Sequence, residues 1–88
     1  MLVLSREVGQ SVVVMDVVVM LIGLDTNYAE ISLRKQTGGK SRIVTLPRGQ
    51  AVEVCYETRI GFVESRESHA RLTIESPQGI KVRRLEDI

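Results

Sequence analysis

Residues 1–14 read Met-Leu-Val-Leu-Ser-Arg-Glu-Val-Gly-Gln-Ser-Val-Val-Val, and the fold is decided there. An apolar run starts at Met1 and ends in the charged pair Arg6 and Glu7. A glycine turn at Gly9 follows, then a second, β-branched run. Period-two alternation puts Leu2, Leu4 and Arg6 on one face, so an apolar stripe gives way to a guanidinium at its rim. The expectation is a strand that opens the chain with no targeting segment before it. That strand carries a group suited to phosphates and bases on a rigid element.

The same pattern continues downstream. Helical periodicity is nearly absent, and strands are expected near residues 2–6, 10–15, 17–24, 28–35, 41–46, 51–63, 69–75 and 79–84. Turn signals separate them at Gly9, Met15-Asp16, Asp25-Thr26-Asn27, Gly38-Gly39, Pro47-Arg48-Gly49, the polar stretch 64–68 and Pro77-Gln78-Gly79. Short strands at regular spacing predict an all-β fold, a small sandwich or barrel of about eight strands. The closing residues Leu85-Glu86-Asp87-Ile88 are too few for a helix.

Composition bounds the function. With 3% aromatic residues, Val, Ile and Leu must supply the core. The apolar stretch from Val12 to Leu24 is broken by Asp16 and Gly23 and is too short for a membrane helix. Cys55 is single, which excludes an intrachain disulfide and fits a reducing compartment; in the run Val52 to Tyr56 it reads as a small strand residue. The chain is expected to be cytoplasmic. A net charge of +1 argues against a polyanion binder held by bulk charge. The charges are segregated, however. Arg34, Lys35, Lys40, Arg42 and Arg48 have no acid among them, Lys81, Arg83 and Arg84 gather near the end, and acids collect at Glu53, Glu57, Glu64 and Glu67. The plain role of such patches is to protect strand edges from aggregation.

An internal repeat is expected within a single domain, 1–88, with units of about 16–48 and 51–84. Asp16 to Leu24 followed by Tyr28 to Leu33 parallels Ala51 to Phe62 followed by His69 to Ile74, with Gly61 in the place of Gly23. A weaker echo links Leu4-Ser5-Arg6…Gly9-Gln10 to Leu46-Pro47-Arg48-Gly49-Gln50, two residues shorter.

Residues 1–14, and residues 69–84 from His69-Ala70-Arg71-Leu72-Thr73-Ile74 through Ser76-Pro77 to Val82-Arg83-Arg84, resemble the carbon storage regulator family. These are small post-transcriptional RNA-binding proteins. The resemblance implies an intertwined dimeric β fold in which the first strand of one subunit lies beside the fifth strand of the other. Each such pair clamps a GGA motif in an RNA hairpin loop. It assigns RNA contacts to Leu4, Ser5 and Arg6 on the first strand and to Val82, Arg83 and Arg84 on the last, with Ser76-Pro77 as the turn. Arg42 and Arg48 are secondary phosphate contacts. Departures from the family pattern are Glu7 in place of a basic residue, Glu75 in place of an amide, Arg83 in place of a histidine, and a C-terminal helix reduced or absent. In the internal copy, Pro47 occupies the strand end where an arginine belongs. Because of the repeat, the chain is expected to be either a fused pseudo-dimer, with strands 2–6 and 79–84 meeting in cis, or an ordinary homodimer with an extra hairpin.

The physical chemistry of the residues is compatible with that assignment. Ile80, Val82 and Arg84 alternate as Leu2, Leu4 and Arg6 do, and paired arginines offer bidentate forks to guanine and charge to phosphate. Other chemistries lack their residues. Gly38-Gly39-Lys40-Ser41 misses the upstream glycine of a phosphate-binding loop, and His69, the single histidine, cannot make a dyad or a metal cluster within one chain. The expectation is a non-enzymatic regulator without metal, cofactor, membrane or small-molecule substrate. Its partners are mRNA 5′ untranslated regions or small regulatory RNAs. The alternative function is an interaction module that has lost RNA binding and pairs with or antagonises a family member.

Overall fold

Alternation of side chains governs every strand. In Tyr28–Lys35 the buried residues are Ala29, Ile31 and Leu33, and in His69–Glu75 they are Ala70, Leu72 and Ile74, two stripes of identical spacing. The structure, a computed structural model, describes residues 1–77 and the backbone of residues 82–85. It is all-β. The strands are β1 (Leu2–Glu7), β2 (Ser11–Val14), β3 (Val17–Leu24), β4 (Tyr28–Lys35), β5 (Arg42–Pro47), β6 (Ala51–Cys55), β7 (Thr58–Arg66), β8 (His69–Glu75) and β9 (Val82–Leu85). Among the described residues no helix is long and apolar enough to cross a membrane.

The strands form two antiparallel sheets, a four-stranded one in the order β1-β8-β7-β6 and a five-stranded one in the order β5-β4-β3-β2-β9. Both are open, which makes the molecule a sandwich and not a closed barrel. One apolar cluster joins them: Leu4, Ile60, Phe62, Leu72 and Ile74 from the first sheet, and Val12, Val14, Val19, Leu21, Ile31 and Leu46 from the second.

Two differences from the expected elements have local causes. Residues 51–63 are not one strand; Tyr56 and Glu57 turn the chain between β6 and β7, with Glu57 at φ 52°. No Gly, Asn or Pro marks that turn. Residues 64–66 are strand, and the turn narrows to Glu67 and Ser68, both at positive φ. The expected strand 79–84 is described only from Val82. Lys81, the Gln78-Gly79 part of the turn and residues 86–88, on which the reduced helix falls, lie outside the described residues.

Pairing shows how the halves interlock. β1 pairs with β8, and β5 pairs with β4, so each half lends its first strand to the fourth strand of the other. The details recur. Gly9 N–H donates to the Leu21 carbonyl at 2.7 Å and Leu21 N–H to Gln10 at 3.1 Å; Gly49 donates to Phe62 at 2.7 Å and Phe62 to Gln50 at 3.1 Å. A β-bulge between Leu21 and Gly23 is matched by one between Phe62 and Glu64. The units that correspond are Leu2–Arg34 and Arg42–Glu75, which start earlier than the repeat expected from sequence. The irregularity between Glu53 and Cys55 absorbs the single extra residue of the second unit.

Candidate nucleic-acid interface

Register fixes which residues are equivalent. Arg6 faces Ala70 across the β1–β8 ladder, and Leu46 faces Ala29 across β4–β5. Ala29 and Ala70 sit two residues before Ile31 and Leu72, which face Val44 and Leu4. Arg6 is therefore the counterpart of Leu46 and not of Arg48, and Pro47 is the counterpart of Glu7. The two-residue gap expected between the copies is absent. Gly23 likewise matches Glu64, not Gly61.

That position is buried in both copies: Arg6 is 7% exposed and Leu46 2%. Putting a guanidinium where a leucine packs costs several kcal/mol of desolvation before its partners compensate. The other copy closes the same corner with an apolar side chain. Leu4, 9% exposed, lies on the same face as Arg6, and Ser5 points to the exposed side. The alternation expected for the opening strand holds for Leu4 and Arg6, whereas Leu2, on the same face, is exposed.

The opening and closing strands are not ladder neighbours. β1 is an edge strand of the four-stranded sheet and β9 an edge strand of the five-stranded sheet. They are linked through β2, which follows β1 after residues 8–10 and pairs with β9. In that ladder Val82 stands opposite Val14, Arg83 opposite Val13 and Arg84 opposite Val12. Since β2 reverses the chain and β9 reverses it again, Arg84 and Arg6 both belong to the end of the sandwich that carries the Gly9 turn. Arg48 is at this end as well, its N–H bonded to the Asn27 carbonyl at 2.7 Å.

The other expected contacts lie at the opposite end. Ser76, half-buried, and Pro77, exposed, line a shallow pocket with Met1, Glu57, Arg59 and Glu75. Arg42 faces Leu33 near Arg34 and Lys35, so it does not join Arg48. Arg6, Arg84 and Arg48 thus fall at one end of the sandwich, and Arg42, Ser76 and Pro77 at the other.

One rim contact escapes the sequence. His69 faces Glu7 across the β1–β8 ladder, with Nε2 3.2 Å from the Glu7 carboxylate and Nδ1 2.8 Å from the Glu67 carbonyl. The acid beside Arg6 is held by an imidazole instead of standing alone. Only the fold-level pairing of β1 with β8 reveals this. No protein-family model, no curated protein and no solved structure matches the chain.

Proposed function

We propose that this protein is a sequence-specific RNA-binding regulator that holds GGA motifs in mRNA or small-RNA hairpin loops and modulates translation by occupying the transcript. One observation carries the reading: a buried arginine, Arg6, at a corner that the second copy closes with Leu46. A charge kept at a corner where the other copy packs a leucine supports a binding role for this end of the sandwich. The resemblance of both terminal segments to the carbon storage regulator family supplies the ligand class. Ser5 and Arg6 then act with Val82, Arg83 and Arg84, the arginines bonding guanine edges and phosphates, while Leu4, buried in the core, anchors the strand that carries them. Arg48 extends the charged end, while Arg42, Ser76 and Pro77 serve only an RNA long enough to cross the sheet. Because Leu46 replaces the arginine in the second copy, one chain holds one loop.

The decisive variant is Arg6→Leu. It is expected to weaken binding to a GGA hairpin by roughly ten- to a hundredfold, about 1–3 kcal/mol, with a melting temperature unchanged or raised. Titration by fluorescence anisotropy, alongside a hairpin whose GGA is scrambled, makes the comparison. Equal affinity of wild type and variant overturns the reading. So does a randomised RNA pool that returns no GGA loops, in favour of a protein-interaction role.

A further inference from the structure

The two sheets differ by one strand. The outer edge of β2 is covered by β9, whereas no strand among the described residues pairs with the outer edge of its counterpart, β6. Sequence explains the gap: after β4, residues 36–41 lead straight into β5, with no strand of their own. Burial records the consequence. All four residues of β2 are buried, yet in β6 Val52, Val54 and Cys55 are half-buried and Ala51 and Glu53 are exposed. An open edge presents unpaired N–H and C=O groups, and here it also leaves apolar side chains of the core partly in water.

Charge describes what is missing. Glu53 faces Arg59, and Arg59 faces Glu75, a row that alternates in sign across three strands and stops at Glu53 on the open edge. In the equivalent row of the other sheet, Arg83 of β9 faces Val13. A cation is the residue that would continue the row beyond Glu53, because opposite charges directly across a ladder are favoured. Pairing β6 with β6 of a second copy would instead bring two such acid-ended rows together. Donating β9 from a second copy would bare one edge to cover another.

We propose that the β6 edge is a strand-addition site for a partner protein, taken up by an extended segment that alternates apolar residues with basic ones. Main-chain bonds to Ala51–Cys55 give the affinity, apolar residues complete the cover over Val52 and Val54, and a Lys or Arg sits beside Glu53. The site is independent of the RNA reading and lies on the other sheet from β9.

A capped peptide with the sequence Ile-Lys-Val-Arg-Arg-Leu, which copies residues 80–85, is the probe. Titrated into the ¹⁵N-labelled full chain, it is expected to shift the Ala51–Cys55 amides saturably and to slow their hydrogen exchange. Glu53→Lys is expected to weaken it at least tenfold, while the charge-matched control Glu64→Lys leaves it unchanged. Absence of saturable shifts, shifts centred on Ser11–Val14, or equal binding to Glu53→Lys overturns the proposal. So does sedimentation showing a dimer of the free chain with the β6 amides already protected, since the occupant would then be a second copy.

Discussion

Arg6 and Leu46 show why a residue can be right in kind and wrong in partner when read from sequence. The echo between Leu4-Ser5-Arg6 and Leu46-Pro47-Arg48 aligns like with like, but a slip of two residues along a strand leaves every side chain on its original face. Alternation therefore could not detect the error, and only the ladder register corrects it. The opening strand itself was legible: Leu4 and Arg6 face inward and Ser5 outward, as its period demands. A second residue carries a steric argument. A Cβ on Gly61 would meet Thr73 Oγ1 at 2.6 Å, and Thr73 is stiff at χ1. Gly61→Ala is expected to cost about 1–3 kcal/mol, measured by urea unfolding. Adding Thr73→Ala should recover most of that loss, and two additive losses would show that the clash is not the cause.

At the scale of elements, most strands announced themselves through alternation and turn chemistry, and the misses cluster at hairpins whose turns use unexpected residues. Tyr56-Glu57 bends the chain without glycine or asparagine, so β6 and β7 read as one run. Its counterpart at Met15-Asp16 was visible because the aspartate interrupts a long apolar stretch. Glu67-Ser68 is the clearest case. Both residues have positive φ, 50° and 67°, the conformation that two-residue hairpins favour and that Asn-Gly adopts at least cost. The double change Glu67→Asn, Ser68→Gly is expected to stabilise the protein by about 1 kcal/mol or more. For a chain of this size that raises the melting temperature by roughly 4–8 °C. A calorimetric scan with no increase would mean the turn is already relaxed. The last strand was legible through its alternation but its neighbour was not: the expected partner was the opening strand, whereas the ladder is with β2 and β1 lies in the other sheet.

The whole molecule is held together by strands that cross between halves. Leu2 pairs with Ile74, nearly the full chain away, and β5 and β9 cross in the same manner. Such non-local pairing predicts folding on the millisecond-to-second scale. It also predicts the outcome of a cut. A protease site placed between Gly38 and Gly39, in an exposed stretch with no strand pairing, divides the chain into halves joined by three ladders. The two fragments are expected to co-elute on size exclusion and to part only in denaturant. Fragments that separate in buffer would show that the linker, not the ladders, keeps the halves together. The sequence displayed the duplication and its resemblance implied an intertwined fold, but not that each first strand pairs with the fourth strand of the other half, because that depends on which edge each strand finds in space.

Carrying both halves on one chain also changes what can be inherited. In an assembly of two identical subunits, one codon writes both corners, so an arginine lost from one is lost from both. Here the two corners are spelled separately, and Leu46 can relax into the interior while Arg6 keeps its charge. The reciprocal exchange of first strands is what makes this asymmetry tolerable, since each corner rests on the opposite half.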